Sequence, residues 1–571
     1  MPPKIKPLRH TVVLIFFLGL LFIFLGRLVF IQFFRSAFLL KLAAKQHTYY
    51  LELEPQRGAI YDRYMRPLAV NVSTFSLYAV PPQVKNKNKV AQELNALLGM
   101  DKDFTMERLS RQKQFVWLAR KLDWETMEKV KALDLDGLYF IKESKRSYPN
   151  SKLASQLIGF AGLDNVGLDG LEMYYDSYLK GEPGWTFVLR DARRQDLTFS
   201  DVLQPPVDGY SLVLTIDEVV QYIAEREIEK IFQKYNAKGA SLIVMDVKTG
   251  EILAMASRPT FDLNEPSKYP TEARRNRAVT DFFEPGSVFK IVTASAALDE
   301  GKFSPEDRIF CENGKYRVAN HTLHDVHPYG WLVFKEVIVQ SSNIGTTKIA
   351  QKIGAASVYK YAKLFGFGTV TSVALPGEVS GVLKPISVWS KTSIGAVPIG
   401  QEVCVTALQL ASAISTIANS GIYMKPLVVR AIVDKRGEVI KSFQPQSIRR
   451  VISEETSKKM RQILAGVVEN GTGKLAQSKL FRFGGKTGTG QKVEPDRTYS
   501  HSKFIASFIG FAPVDDPQIA IAVIVDEPRP YYYGGVVSAP AFKLVAEDVL
   551  KYRQMGLGKQ EHYFLAKANE N

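Results

Sequence analysis

Thr11 to Gly26 is a run of sixteen residues without a charge. No other feature restricts the chain as much, because such a run must be buried in a protein core or in a bilayer. As a helix it would reach about 24 Å, short of the roughly 30 Å hydrocarbon thickness of a membrane. Apolar character resumes after Arg27 and continues through Phe34. A helix from Thr11 to Phe33 would reach about 34 Å and would span if the Arg27 guanidinium snorkels to an interface. Lys4, Lys6 and Arg9 precede the run with no acid among them, and a basic flank of this kind stays on the cytoplasmic side. The expectation is a cytoplasmic tail at 1–10, a single transmembrane helix at 11–34, and everything after residue 35 outside the cytoplasmic (inner) membrane. A cleaved signal peptide competes, but its apolar region would be shorter, and "KLAAKQ" downstream makes a poor cleavage site. No other stretch is long enough to span.

The remaining chain is too long for one ordinary domain and predicts two or three. Apolar residues at 46% and charged residues at 23% describe a folded chain and exclude a disordered one. The formal charge of +16 suits anionic surroundings, yet no basic cluster with interleaved aromatics accompanies it. A solvated basic surface is therefore expected, and nucleic acid is not a partner. Cys311 and Cys404 have no neighbours at metal-ligand spacing, so no metal site is expected. They read as two isolated buried thiols, with a disulfide between them left open.

Residues 36 to about 203 alternate short strands with charged helices such as "FTMERLSRQKQFVWLARKL". The turn-rich "QPPVDG" at 204–209 marks a boundary. Beyond it come a strand-like "YSLVLTID" and the helical "EVVQYIAEREIEKIFQKY". Then "GASLIVMDV" and "EILAMAS" read as a hairpin around a turn containing Gly250. A helix leading into an antiparallel sheet predicts an α/β domain of about 350 residues. The last residues, 556–571, read as a loose polar tail.

Three short motifs carry the chemistry. In "EPGSVFK", Glu284 to Lys290, the Pro285–Gly286 pair opens a helix and puts Ser287 in its first turn. Lys290 then projects from the same face. A serine hydroxyl needs a base to become a nucleophile, and a lysine desolvated near other cations can lose its proton at neutral pH. Alone, the pattern is also that of an N-cap serine followed by an exposed lysine. In "VIVQSSNIGTT", Ser341 and Asn343 occupy a polar step between two helical segments. A hydroxyl there can relay a proton, and an amide can both donate to and accept from a peptide bond; taken singly the step is an ordinary helix N-cap. In "FRFGGKTGTG", Lys486, Thr487, Gly488 and Thr489 lie on the first strand of a second hairpin. A cation there can hold a carboxylate while the strand lies alongside an extended peptide. A phosphate-binding loop is excluded, because Leu480 stands where its first glycine would be.

Ser-x-x-Lys, Ser-x-Asn and Lys-Thr-Gly follow one another, 54 and then 145 residues apart, in the order that marks β-lactamases and penicillin-binding proteins. From about residue 55 to 550 the chain resembles a class B penicillin-binding protein, most closely the septal, cell-division type. "RGAIYDRYMRPLA" (Arg57 to Ala69), "GLDGLEMYYD" (Gly167 to Asp176), "RNRAVTDFFEPGS" and "YYYGGVVSAPAF" carry the likeness outside the triple. Met65 stands where the family usually has glycine and Asp169 where it usually has glutamate, which puts a local turn in question.

The resemblance implies an α/β (α+β) architecture. A transpeptidase domain at 206–555, with a central antiparallel sheet flanked by helices, follows an elongated non-catalytic pedestal at 35–205. It implies a peptidoglycan D,D-transpeptidase that needs no cofactor. Ser287 would attack the penultimate D-alanine of a stem peptide ending in D-Ala-D-Ala, Lys290 would accept its proton, and Ser341 with Asn343 would complete the relay. The backbone N–H groups of Ser287 and Thr489 would form the oxyanion hole. Lys486, Thr487, Gly488 and Thr489 would bind the substrate, and β-lactams would mimic it. Implied partners are a polytopic glycan polymerase of the shape, elongation, division and sporulation family and other division proteins. The competing readings are an elongation-specific transpeptidase, a β-lactamase, a carboxypeptidase and an idle division scaffold. A β-lactamase would need neither the anchor nor the pedestal, and the intact triple argues against idleness.

Overall fold

A computed structural model describes residues 7–39, 48–113, 115–190, 196–494, 496 and 498–556. Lys4 and Lys6 of the basic flank, and the expected tail beyond Gly556, lie outside these residues. The chain divides into two compact units, one of residues up to Pro55 with Gly181–Asp208, the other of Gln56–Lys180 with residues from Gly209 onward.

In the first unit, helix α1 (Pro7–Val29) continues into a wider π-helical turn at Phe30–Phe34. His10–Phe34 is a 25-residue segment containing an 18-residue stretch of mean hydropathy 2.8, about 37 Å long, and thus long and apolar enough to cross a membrane. The Arg27 and Arg35 guanidinium carbons each lie 5.9 Å from the centre of the Phe30 ring. Both cations therefore gather at one end of the segment, where snorkelling requires them. The strands Thr48–Leu53, Gly184–Arg190 and Asp196–Gln204 complete this unit as an antiparallel sheet.

The second unit begins with a seven-stranded sheet that draws on both sequence halves. Pro67–Ala79 pairs with Val116–Leu122 on one side and Leu138–Ser147 on the other. The short strand Ile60–Tyr61 runs antiparallel to Pro67–Ala79 and parallel to Ser211–Leu214. Beneath it, Glu172 accepts from Arg146 Nε at 2.6 Å and from Arg57 Nε at 2.7 Å. Arg57 also reaches Asp176 at 2.6 Å and the Asn165 carbonyl at 2.7 Å. Glu172 and Arg57 are essentially withdrawn from solvent, so each buried charge depends on the others. The turn around Met65 keeps its shape despite the missing glycine. Met65 sits at φ +64°, a left-handed conformation that costs a side chain about 1 kcal/mol. The Asp62 carboxylate holds the turn by accepting from Tyr64 N and Arg66 N, both at 2.8 Å. Asp169 caps the short helix Gly170–Tyr174.

The remainder is built on strands β1 (Gly239–Asp246), β2 (Ile252–Arg258), β3 (Gly484–Val493), β4 (Tyr499–Ala512) and β5 (Ile519–Asp526), all antiparallel in the order β2–β1–β5–β4–β3. Its helices include α2 (Glu218–Lys234), α3 (Lys290–Asp299), α4 (Phe334–Val339), α5 (Asn343–Ile353), α6 (Ala407–Ala418), α7 (Glu454–Glu469) and α8 (Ala539–Gln554). Successive residues on a strand face opposite sides, and the sheet uses both. Leu242 and Val244 on β1 pack with Ile223 and Ile228 of α2 and Phe542 and Val545 of α8. Ile243 and Met245 join the larger core that contains Ile291 and Val292 of α3 and Leu410 and Ile414 of α6. The hairpin turn after β1 holds Gly250 at φ +74°. The expected central antiparallel sheet flanked by helices is what forms.

Removing the anion from the Arg57–Glu172–Arg146 cluster would leave two buried guanidinium groups without their partner. Glu172→Ala should lower the free energy of unfolding by about 3–5 kcal/mol, measured by chemical denaturation. An unchanged midpoint would show that the cluster does not hold this region together.

Candidate active site

Ser287 lies in a tight 3₁₀ turn, Gly286–Phe289, that feeds directly into α3. The Lys290 N–H bonds the Ser287 carbonyl, so serine and lysine are one short turn apart, as their spacing implied. The turn is wedged against the edge strand β3. Gly286 has φ +56°, and a Cβ there would come within 2.9 Å of the Thr489 carbonyl. Gly488 meets the same packing from the other side, where a Cβ would be 2.9 Å from the Pro285 carbonyl and 2.3 Å from Ser507 Oγ. The glycine expected to admit a substrate thus first admits the protein's own nucleophile turn. Ser287 is half-buried, and its hydroxyl bonds to none of the described residues.

Lys290 and Lys486 are both fully buried, and both point at Ser341. Lys290 Nζ lies 2.6 Å from the Ser341 carbonyl, 2.8 Å from Asn343 Oδ1 and 3.2 Å from Ser341 Oγ. Lys486 Nζ donates to Ser341 Oγ at 2.9 Å and to the Thr487 carbonyl at 3.2 Å. Burial lowers both amines, since desolvation penalises the charged form. Lys290 falls to about 7, partly opposed by the negative charge of Asp325. Lys486 is lowered well below its ordinary value by burial and by the nearby Lys290. One cation and one neutral amine around a shared hydroxyl is the state that relieves their repulsion. A neutral Lys290 has two N–H groups for the two carbonyl oxygens, which leaves its lone pair for a hydroxyl proton.

Ser341 sits in the break between α4 and α5 and Asn343 opens α5, but neither is the helix cap. That role falls to Ser342, whose Oγ accepts from Gly345 N at 2.9 Å, leaving its two neighbours for the cleft. Ser341 itself is held at φ +60°, an uncommon conformation for a residue with a side chain. Asn343 Nδ2 donates to the His324 carbonyl at 2.9 Å, which aims its Oδ1 at Lys290.

Several residues that close the site were not singled out in the sequence. Thr472 Oγ1 pairs with Thr487 Oγ1 at 2.6 Å, and Gly534 N donates to Thr489 Oγ1 at 3.3 Å. Asp325 binds the Ser342–Ile344 step, and "HTLHDVHPYG" carries no pattern that separates it from any loop aspartate. Cys311 and Cys404 are free, and only Cys311 is fully buried. Among the described residues, no three of His, Cys, Asp and Glu gather as a metal-ligand set. A cavity of about 780 Å³ near Phe283, Glu284 and Gln491 contains none of the motif side chains.

Residues 240–547 match the family model described as the penicillin binding protein transpeptidase domain, and residues 52–214 match the penicillin-binding protein dimerisation domain. The chain belongs to the class B penicillin-binding proteins. It is 38% identical to Stage V sporulation protein D of Bacillus subtilis over 95% of this chain and 85% of that protein. It is 32% identical to peptidoglycan D,D-transpeptidase FtsI of Escherichia coli over 92% of this chain and 89% of that protein. Among solved structures, penicillin-binding protein 3 of Mycobacterium tuberculosis complexed with aztreonam superposes with a TM-score of 0.71 at 28% identity, covering 88% of this chain and 97% of that one.

Gly286→Ala combines a left-handed φ with a close backbone contact, and should displace Ser287. A misplacement of about 1 Å costs on the order of a hundredfold in rate. Labelling by a fluorescent penicillin should slow by about that factor with little change in melting temperature, and unchanged labelling would refute the steric argument.

Proposed function

We propose that this chain is a serine D,D-transpeptidase that cross-links peptidoglycan stem peptides. In this reading residues 206–555 carry the chemistry and 35–205 serve as the non-catalytic pedestal. The observation that carries the proposal is the pair of buried lysines on either side of the Ser341 hydroxyl, one turn from Ser287. Ser287 attacks the carbonyl of the penultimate D-alanine, and its proton passes to neutral Lys290. The backbone N–H groups of Ser287 and Thr489 receive the oxyanion, where hydrogen bonds strengthen as charge develops. Lys290 returns the proton through Ser341 to the departing D-alanine, with Asn343 orienting both amine and substrate. An amine from a neighbouring stem peptide then resolves the acyl-enzyme, which makes the reaction ping-pong acyl transfer. The terminal carboxylate is met by the Thr487 and Thr489 hydroxyls. Lys486 stands behind them, its amine engaged by the Ser341 hydroxyl. Gly488 keeps the strand backbone accessible. A β-lactam enters as a mimic of D-Ala-D-Ala and acylates Ser287.

The acylation rate should follow the neutral fraction of Lys290. The lysine is lowered to about 7, so the reactive amine is present above that pH and is lost below it. Mass spectrometry of penicillin-treated protein should show one adduct, on Ser287, forming about tenfold more slowly per pH unit below 7. Ser287→Ala should show none. An adduct on another residue, or a flat profile, would overturn the assignment.

The apolar helix and the likeness to Stage V sporulation protein D and to FtsI support a septal role. The N-terminus would lie in the cytoplasm and the catalytic domain in the periplasm or outside. A polytopic glycan polymerase of the shape, elongation, division and sporulation family, which would supply the strands to be cross-linked, is the partner this placement calls for. Detergent co-purification should recover that polymerase with the full chain but not after exchange of residues 7–34 for an unrelated anchor. Equal recovery with both would remove the role of the helix.

A further inference from the structure

Asp325 follows the strand His321–His324, the second strand of a small hairpin with Lys315–Val318. It is half-buried, and its backbone N–H bonds the Gly314 carbonyl at 3.2 Å. Its carboxylate is committed entirely to the break between α4 and α5. Oδ1 accepts from the backbone N–H of Asn343 and, at 3.1 Å, from that of Ile344; Oδ2 accepts from Ser342 Oγ at 2.6 Å. The preceding residue supplies the carbonyl that binds Asn343 Nδ2. One hairpin end therefore fixes both the backbone and the amide of the step that contacts Lys290.

We propose that Asp325 is a positioning residue for acyl transfer: it locks the Ser341–Asn343 step in the geometry that receives Lys290, and brings a carboxylate charge to that step. The inference rests on the transpeptidase reading above. Two N–H groups at the first turn of α5 give a carboxylate its natural seat, so a capping role alone would explain the hydrogen bonds. The charge has a further consequence. Lys290 Nζ meets Ser341 and Asn343, Lys486 of β3 reaches the same Ser341 hydroxyl, and the charge of Asp325 acts from the hairpin. Burial disfavours a protonated Lys290, and the charge of Asp325 favours it. A base driven too low accepts a proton poorly, and catalysis is best when its pKa lies near the working pH. Asp325 thus holds Lys290 near neutrality against its surroundings.

The test is the pH profile of acylation of the full chain in detergent by a fluorescent penicillin, for wild type, Asp325→Asn and Asp325→Glu. Asparagine keeps an acceptor for the two N–H groups and removes the charge, so the acid limb should move about one pH unit lower and the high-pH plateau should fall about tenfold. Glutamate retains the charge and should keep the midpoint near that of wild type, whatever its plateau. If Asp325→Asn does not fold, Asp325→Ser takes its place, since serine is an N-cap acceptor without charge. A lower plateau with an unmoved midpoint in the uncharged variant would reduce Asp325 to a helix cap and overturn the proposal, as would a wild-type profile. Failure of wild type to acylate at Ser287 would instead remove the transpeptidase reading itself.

Discussion

The structure depends on two amines being kept out of water. Lys290 and Lys486 are buried with a serine hydroxyl between them, and among the described residues no carboxylate bonds either one. Burying a charge without a partner is costly enough that the group prefers to neutralise, and here neutralisation is the useful outcome, because it yields a base at neutral pH. The apolar packing around α3, with Val288, Phe289, Ile291 and Val292 all buried, maintains that condition. The core below the site therefore does more than hold the helix: it sets the protonation of the lysine that the helix carries.

Placing these groups relies on backbone more than on side chains. The nucleophile turn approaches β3 so closely that side chains are excluded at Gly286 and Gly488. Ser341 adopts a left-handed conformation in which its carbonyl and hydroxyl face the same amine, that of Lys290. Ser342 and Asp325 satisfy the start of α5, which leaves the Ser341 hydroxyl and the Asn343 Oδ1 to the two lysines. Such strain persists only when the surroundings over-determine it, and the hairpin ending at Asp325 is the element that does so.

Much of this architecture was readable in the chain. The 3.6-residue periodicity gave α2, the paired apolar runs gave the β1–β2 hairpin, and Pro285–Gly286 gave the start of the nucleophile turn. Local signals of this kind are encoded within a few residues, so a short window suffices to read them. The anchor was legible for the same reason, since sixteen uncharged residues admit few alternatives. Lys486 was legible as to strand and as a member of the site, but its contact with the Ser341 hydroxyl was not. Asp325 and Thr472 gave no signal, because each acts only across a long chain separation, on Asn343 and Thr487.

The sequence by itself determined which chemical groups exist and in what order: a serine one turn from a lysine, a hydroxyl–amide step, and a strand carrying lysine and threonine. It also determined an apolar segment long enough to leave water, because hydrophobicity and helical rise are local properties. Only the tertiary structure decided that two lysines 196 residues apart share one hydroxyl, and which residue caps α5. Desolvation and charge proximity are properties of a folded interior, and neither exists in a chain until distant segments have packed.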